Sequence, residues 1–130
     1  MLNIDKLSPI DNNAPECLAI REVLSLVGNK WSMLIIAILA GGTRRFSEIQ
    51  HNIEGISQRM LTRTLRELEW NGLLVRRVEG TVPPSVYYSL TPLGSTLLSP
   101  IALLVDWVQN NHQKIQEAQQ KFDKKRPTKI

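Results

Sequence analysis

The spacing of hydrophobic positions along the chain predicts helices at its start. From Glu16, apolar side chains recur along one side of a helix that ends at Gly28. A second helix, Lys30 to Ala40, is apolar nearly all round and ends at a Gly-Gly pair. Such a helix is typical of the buried centre of a small protein, and we expect it to be the central element.

Two further helices are predicted after the Gly-Gly pair. Residues 43–46 suit a short extended segment, and residues 46–53 suit a short helix with its apolar side inward. Ser57 is well placed as the N-cap of the next helix, which runs to Asn71-Gly72. At 3.6 residues per turn, one narrow arc of that helix carries the side chains expected to pack on the core, Leu61, Leu65 and Leu68.

Two stretches of strand-type sequence follow this helix. Leu74 to Glu79 and Ser85 to Leu90 predict a β-hairpin whose tip, Gly80 to Pro84, is stiffened by prolines. Two short helices joined by a tight turn and followed by a hairpin form a winged helix-turn-helix. The expected fold is therefore mainly α with a small β-hairpin wing.

The last predicted helix carries more apolar surface than a small domain needs. It begins at Thr91-Pro92, continues past Asn111, and is expected to kink or split at Pro100. A terminal helix that is apolar almost all round favours a two-fold dimer, although a larger intramolecular core would also bury this surface. The stripe assigned to the dimer interface is Leu97, Ile101, Leu104, Val105 and Val108.

Composition and charge divide the chain into three parts. Residues 1–15 are expected to be a flexible arm, residues 16–111 the folded domain, and residues 112–130 a basic tail that is helical or disordered. The first 111 residues carry ten basic and ten acidic side chains, so the net charge of +4 arises in the tail. Residues 44–77 nevertheless hold seven arginines and no lysine, against four glutamates. This clustering is a stronger indication of a nucleic-acid partner than the net charge.

The polar side of the helix that follows Ser57 suits the major groove of double-stranded DNA. Arginine can bind guanine through two parallel hydrogen bonds, glutamine can pair with adenine, and the threonine methyl can touch thymine. Residues near the N-terminus of such a helix reach deepest into the groove. The candidates for base-edge contacts are Ser57, Gln58, Arg59, Thr62 and Arg63, and those for backbone contacts are Arg44, Arg45, Arg66, Arg76 and Arg77. An ordinary solvated helix face is the alternative, because arginine is also a good helix former.

The predicted wing has no basic residue at its tip. The tip consists of Gly80, Thr81, Val82, Pro83 and Pro84, and Glu79 precedes it. Wings lie along the DNA backbone or in the minor groove, where arginine and lysine are favoured. This wing is therefore expected to contribute shape and main-chain contacts rather than charge.

Several function classes have no supporting motif. The two histidines have no cysteine or carboxylate cluster at metal-ligand spacing, and the sequence has no glycine-rich phosphate loop or nucleophile motif. We therefore expect neither an enzyme nor a metal nor a cofactor. The longest apolar run, residues 31–40, is too short to span a bilayer, and the N-terminus does not have the pattern of a signal peptide. We expect a cytoplasmic protein with no membrane partner.

Three segments together resemble the HxlR-type winged helix-turn-helix transcriptional regulators, relatives of the MarR group. They are VGNKW at 27–31, the run from GGTRRF to LLVRR at 41–77, and VPPSVYYSLTPLG at 82–94. The resemblance implies a dimeric DNA-binding transcription factor whose first and last helices form the dimer on a palindromic operator. It also implies that Ser57 to Asn71 is the recognition helix and Gly80 to Pro84 the wing, with repression as the commoner activity.

The single cysteine, Cys17, matches a cysteine that such regulators often carry just before the first helix. Some members sense oxidants or electrophiles through it, and a helix N-terminus favours the reactive thiolate, although Glu16 opposes it. A small buried hydrophobic side chain is the alternative role. Two other interpretations stay open: a winged-helix protein-interaction module without DNA binding, and a repressor that responds to a small molecule without redox chemistry.

Overall fold

The computed structural model describes the backbone of residues 15–125 and the side chains of residues 18–125. The predicted arm, apart from Pro15, lies outside the described residues, as do residues 126–130 of the predicted tail and the side chain of Cys17. The chain divides into two compact units between Ser95 and Thr96. The first unit contains α1 (Pro15–Val27), α2 (Lys30–Leu39), β1 (Arg44–Arg45), α3 (Phe46–Asn52), α4 (Gln58–Trp70), β2 (Leu74–Glu79), β3 (Ser85–Leu90) and α5 (Pro92–Ser95), and the second contains α6 (Leu98–Lys125). The predicted fold class, mainly α with a small β-hairpin wing, is confirmed.

The helices α2, α3 and α4 supply the core of the first unit. The predicted core-facing arc of α4 is confirmed, because Leu61, Leu65 and Leu68 are all buried. Ile49 of α3 is buried as well, and α2 contacts both α3 and α4. The leucine arc therefore fixes α4 on the core and turns its polar side outward.

The central helix α2 is buried on one side only. Ile35, Ile36 and Leu39 are buried, whereas Leu34 is 45% exposed and Trp31 is half-buried. Its nearly uniform apolar sequence is therefore only partly explained by the core of the first unit.

Side-chain caps fix where two of these helices begin. The Asn29 side chain accepts a hydrogen bond from Trp31 N at 2.9 Å at the start of α2. The predicted N-cap of α4 is confirmed, because Ser57 Oγ accepts a hydrogen bond from Met60 N at 3.0 Å. The chain leaves α4 through Gly72, whose φ of 76° lies in the left-handed region that glycine adopts without strain.

The predicted hairpin joins β1 in a three-stranded antiparallel sheet. Strand β3 lies between β1 and β2 and aligns two rows of residues across the sheet. One row is Arg45, Tyr87 and Arg77, and the other is Arg44, Tyr88 and Arg76. Since neighbouring residues of a strand point to opposite faces, the two rows lie on opposite faces of the sheet.

A hydrogen-bonded corner connects the end of β3 to the turn after α4. Thr91 Oγ1 donates to Gly72 O at 2.6 Å and accepts from Gly94 N at 3.0 Å. Thr91 N also donates to Leu73 O at 3.1 Å. Gly94 is buried, and a Cβ atom at this position would overlap the backbone carbonyl of Leu73. The corner can therefore close only with glycine at position 94.

The break in the last helical region lies before Pro100, so the break predicted at that proline is wrong. The helix begins at Pro92 as predicted but ends at Ser95, and α6 begins at Leu98. Pro100 is then the third residue of α6, within the first turn, where the missing N–H removes no intrahelical hydrogen bond. Helix α6 includes residues 112–125, so the described part of the predicted tail is helical.

No single helix within residues 15–125 combines the length and the hydropathy of a membrane span. Residues 18–27 of α1 and the whole of α2 reach that length and hydropathy only as a pair, bent by 66°.

Candidate nucleic-acid interface

The outer face of α4, opposite its buried leucines, carries four of the five predicted base-edge candidates. An open groove runs along this face, lined by Gln58, Arg59, Thr62, Arg63, Arg66 and Glu67. All of these side chains are exposed except Thr62, which is half-buried. The fifth candidate, Ser57, lies directly before them as the N-cap. The fold therefore brings the predicted base readers together on one surface.

Two hydroxyl groups at the start of α4 already take part in hydrogen bonds. Thr62 Oγ1 donates to Gln58 O at 2.9 Å, which uses its proton within the helix and leaves its methyl group for an apolar contact. Ser57 Oγ accepts from Met60 N, which leaves its own proton free to be donated. On DNA these groups would suit a thymine methyl and a hydrogen-bond acceptor, respectively.

One base-edge candidate is held by an ion pair within the helix. Arg63 Nε lies 3.3 Å from Glu67 Oε1, one turn later, and the two side chains are 73% and 50% exposed. A pair of this kind on a helix surface contributes only about 0.2–0.5 kcal/mol. It orients the guanidinium without using its two Nη groups, which remain suited to a bidentate contact. Sequence reasoning missed Glu67, although the four-residue spacing from Arg63 is the signal that predicts such a pair.

The other two arginines of this face are less constrained. Within the part of the chain that the structure describes, neither Arg59 nor Arg66 has an ion pair or a side-chain hydrogen bond. Their positive charges are therefore not neutralised by a carboxylate in direct contact, and they remain available to an external anion.

On one face of the sheet, two arginines flank the ring of Tyr87. The guanidinium of Arg77 lies 4.9 Å from the ring centroid and that of Arg45 lies 5.8 Å away, both within the range of cation–π attraction. Arg45 Nη2 also donates to Ser85 Oγ at 3.1 Å, and Arg77 Nη1 donates to Glu79 Oε1 at 2.8 Å. Tyr87, which sequence reasoning missed, therefore holds two of the predicted backbone contacts on one surface.

The opposite face of the sheet holds the other row. Burial raises the pKa of the Tyr88 hydroxyl above its usual value; nearby Arg76 and Arg66 oppose this shift, and Glu69 adds to it. Arg76 Nε lies 3.6 Å from Glu69 Oε1, and Arg44 Nη1 donates to a neighbouring backbone carbonyl at 3.0 Å. The five backbone candidates are therefore divided between α4 and the two faces of the sheet.

The wing tip is exposed throughout residues 80–84, and Val82 is completely exposed. Thr81 Oγ1 donates to Pro83 O at 2.8 Å and lies 3.3 Å from Ser85 Oγ. The carboxylate nearest the tip, that of Glu79, is paired with Arg77. The tip therefore offers an ordered shape and main-chain groups rather than charge.

Helix α6 of the second unit presents large apolar side chains to solvent. Of the stripe assigned to a dimer interface, Leu104, Val105 and Val108 are exposed, Leu97 is half-buried and Ile101 is buried. Leu103 and Trp107, which were not assigned to that stripe, are more than half exposed. The exposed apolar surface of α6 thus extends beyond this stripe, as expected for a helix whose sequence is apolar almost all round.

Sequence comparison places most of the chain within one described family. The sequence model of the HxlR-like helix-turn-helix family matches residues 26–116. The HTH-type transcriptional regulator YtfH of Escherichia coli (strain K12), which is itself uncharacterized, is 45% identical over 91 residues. These residues are 70% of this chain and 72% of YtfH.

Solved structures of similar sequence have the same fold. YtfH from Salmonella typhimurium, described as a transcriptional regulator, is 40% identical in sequence and superimposes with a TM-score of 0.72. The match covers 77% of this chain and 89% of the YtfH chain. The redox regulator HypR in its reduced form is 35% identical in sequence and superimposes with a TM-score of 0.71. The match covers 76% of this chain and 98% of the HypR chain. By their descriptions, these relatives are transcriptional or redox regulators.

Proposed function

The chain belongs to the HxlR-like helix-turn-helix family of transcriptional regulators, and from this premise we propose that it is a repressor that binds a palindromic operator as a homodimer. The outer face of α4 carries this proposal. Buried leucines hold the helix rigidly on the core, while its exposed side presents arginine, glutamine and threonine in one groove. A rigid helix with such a face is what reading base edges in a major groove requires.

The proposed base readers lie in the first half of α4. Gln58 and Arg59 lie in its first turn and would reach deepest into the groove, with the Ser57 hydroxyl beside them. Arg63 would exchange its weak pair with Glu67 for a bidentate contact to guanine. Thr62 would contribute its methyl group, because its hydroxyl proton is used within the helix.

The proposed backbone contacts come from α4 and from the two faces of the sheet. Arg66 extends the same helix face, and the Arg45–Tyr87–Arg77 row offers two guanidinium groups on one surface of the sheet. Arg44 and Arg76 on the opposite face would reach separate phosphates. The wing tip, residues 80–84, would add main-chain contacts without charge.

The proposed dimer is supported by apolar surface on the first and last helices. Leu18, Val23 and Leu24 of α1 are about half exposed, and α6 presents the wider apolar surface described above. Exposed apolar surface of this extent is typical of an interface between subunits. The proposal assigns DNA binding and dimerisation to residues 16–111, residues 112–130 to a basic extension, and the cytoplasm as the compartment where operator DNA is available.

The salt dependence of DNA binding tests this proposal. Genomic fragments captured by the full chain would supply the operator, and its affinity would then be measured from roughly 50 to 200 mM salt. Each neutralised phosphate adds about −0.9 to the slope of log K against log salt, so we expect a steep fall. Failure to capture any fragment, or an affinity that salt leaves unchanged, would contradict the proposal and favour a protein-interaction module.

Sensing of oxidants through Cys17 is a second proposed activity, supported by the similarity to HypR. HypR is a redox regulator by its description and has the same fold. Cys17 is the third residue of α1, where the helix N-terminus favours a thiolate.

Diamide treatment of the wild-type chain and of Cys17→Ser tests the redox proposal. We expect diamide to lower the operator affinity of the wild-type chain, dithiothreitol to restore it, and the serine variant to be unaffected, because serine cannot undergo thiol oxidation. An equal response of both chains would show that Cys17 is not the sensor.

A further inference from the structure

A cavity of about 210 Å³ lies between α4 and the N-terminal end of α2, on the inner side of the proposed DNA-binding face. Its described lining consists of Asn29, Ser32, Met60, Arg63, Thr64 and Glu67. Arg63 and Glu67 also line the groove on the outer face of α4. The cavity and the outer groove therefore share one pair of side chains.

Ser32 distinguishes this cavity from an ordinary packing gap. Its side chain is 1% exposed, and its hydroxyl has no hydrogen-bond partner among the described residues. A buried hydroxyl without a partner costs about 1–3 kcal/mol, and most native proteins avoid such groups. An unpaired hydroxyl on the wall of a cavity points to a partner that occupies the cavity.

The start of α2 adds a backbone donor at Ser32, one of the residues that line the cavity. Asn29 accepts hydrogen bonds from Trp31 N through its side chain and from Met33 N through its carbonyl oxygen. The intervening Ser32 N–H has no hydrogen-bond partner within residues 15–125. Unpaired N–H groups at a helix N-terminus, together with the helix dipole, favour a negatively charged ligand.

Arg63 adds a full positive charge to the hydroxyl and the N–H group of Ser32. Its contact to Glu67 uses only Nε. At 3.3 Å, the distance from Nε to Glu67 Oε1 is longer than that of a strong charge-assisted hydrogen bond. Since the pair is largely exposed, exchanging it costs little. A carboxylate or phosphate that bound both Nη groups could therefore take the place of the Glu67 carboxylate.

We infer that this cavity binds a small oxyanion, a carboxylate or a phosphate, held by Ser32, the N-terminus of α2 and Arg63. The cavity volume equals that of about seven water molecules, at roughly 30 Å³ for each molecule. The ligand therefore has only a few non-hydrogen atoms. The effect of this ligand on DNA binding rests on the proposed function, because it requires that Arg63 reads base edges of the operator. Arg63 bound from the cavity side is withdrawn from the base edges, and operator affinity falls.

An NMR titration of the DNA-free, full-length chain tests the site without reference to DNA. Sodium acetate and sodium phosphate are the two probes, each compared with sodium chloride at constant ionic strength. We expect saturable shifts of the Ser32 amide and of the Arg63 Nε–H signal for at least one probe, and which probe saturates distinguishes a carboxylate from a phosphate ligand. Shifts that stay linear, or that chloride reproduces, would overturn the inference.

Three variants identify the cavity as the place of binding. Ser32→Val fills the space and removes the hydroxyl, so we expect at least about tenfold weaker binding, equivalent to roughly 1.4 kcal/mol. Glu67→Gln removes the competing carboxylate and should tighten binding. Ser47→Ala removes an exposed serine of α3 and should change nothing. Saturable binding that Ser32→Val leaves unchanged would place the ligand elsewhere and overturn the inference.

Ser32→Ala keeps the test valid if the valine variant does not fold. It deletes the hydroxyl without adding volume, and removing an unpaired buried group should not lower the stability of the chain. We expect weaker binding of the probe with an unchanged melting temperature. Unchanged binding in Ser32→Ala would show that the hydroxyl does not hold the ligand.

Operator binding with and without the probe then tests the coupling separately. We expect the probe that saturates the cavity to weaken operator binding by the wild-type chain but not by Ser32→Val. Saturable binding in the cavity with unchanged operator affinity would retain the site and overturn the coupling. A chain that binds the probe but no DNA would contradict the proposed function alone.

Discussion

Arg45 and Arg77 reach the surface from different strands, yet the ring of Tyr87 gives them a common position. Their guanidinium groups lie 5.8 and 4.9 Å from the ring centroid, and each has a further hydrogen bond that limits its movement. Long side chains lose conformational freedom when they bind a phosphate, and ordering them beforehand lowers that cost. At the scale of the residue, Tyr87 is therefore a positioning residue for the proposed backbone contacts.

Removing the ring of Tyr87 should weaken DNA binding without altering its sequence preference. We expect Tyr87→Ala to lose on the order of 1 kcal/mol of binding free energy, because the cation–π attraction that orders both arginines is lost. Tyr87→Phe keeps an aromatic face and should bind nearly as the wild-type chain does. Fluorescence anisotropy with the operator and with an unrelated duplex would measure both. Equal losses in the two variants, or a loss confined to the operator, would contradict this role.

At the scale of the element, the corner between β3 and α5 fixes the hairpin relative to α4. Thr91 bonds the backbone at Gly72 and Leu73, and Gly94 packs directly against the Leu73 carbonyl. The turn that ends α4 and the start of α5 are thus one connected structure.

A methyl group at position 94 should open this corner. We expect Gly94→Ala to lower the free energy of unfolding by about 3 kcal/mol, at the upper end of the cost of overpacking, because the neighbour is rigid backbone rather than a side chain. Gly80→Ala is the matched control, since a Cβ atom there meets nothing within 4 Å. Urea unfolding of both variants would measure the difference, and similar stabilities would show that the corner yields without strain.

The elements whose patterns are local were predictable from the sequence. The leucine arc of α4, the cap at Ser57 and both hairpin strands depend on neighbouring residues, and their predictions are confirmed. The break before α6 was misplaced, because Pro100 in the first turn of a helix has the same sequence signature as a helix break. Tyr87 was missed because only the register of the sheet brings it beside Arg45 and Arg77.

At the scale of the whole molecule, the exposed apolar surface of α6 is the surface proposed for dimerisation. Leu103, Leu104 and Trp107 are each at least half exposed, which is costly in water unless another surface covers them. A second copy of the chain would cover them and would also provide the second copy of α4 that the proposed palindromic operator requires.

A charge within this surface should separate the proposed dimer. We expect Leu104→Glu to raise the dimer dissociation constant by at least about tenfold, because a buried unpaired carboxylate costs more than roughly 1.4 kcal/mol. Gln109→Glu places the same residue at an exposed, already polar position of α6 and should have little effect. Sedimentation equilibrium would measure both, and an unchanged association of Leu104→Glu would exclude this surface as the interface.

Base reading by two symmetry-related copies of α4 can be tested in one measurement, the affinity of Arg63→Ala for every single-base variant of the operator. Arg66→Ala serves as the control, since a phosphate contact should be lost equally for all sequences. For Arg63→Ala we predict a loss of about 1–3 kcal/mol and the disappearance of base preference at one position in each half-site, at two places related by the operator's symmetry. A uniform loss that leaves every base preference intact would contradict the account.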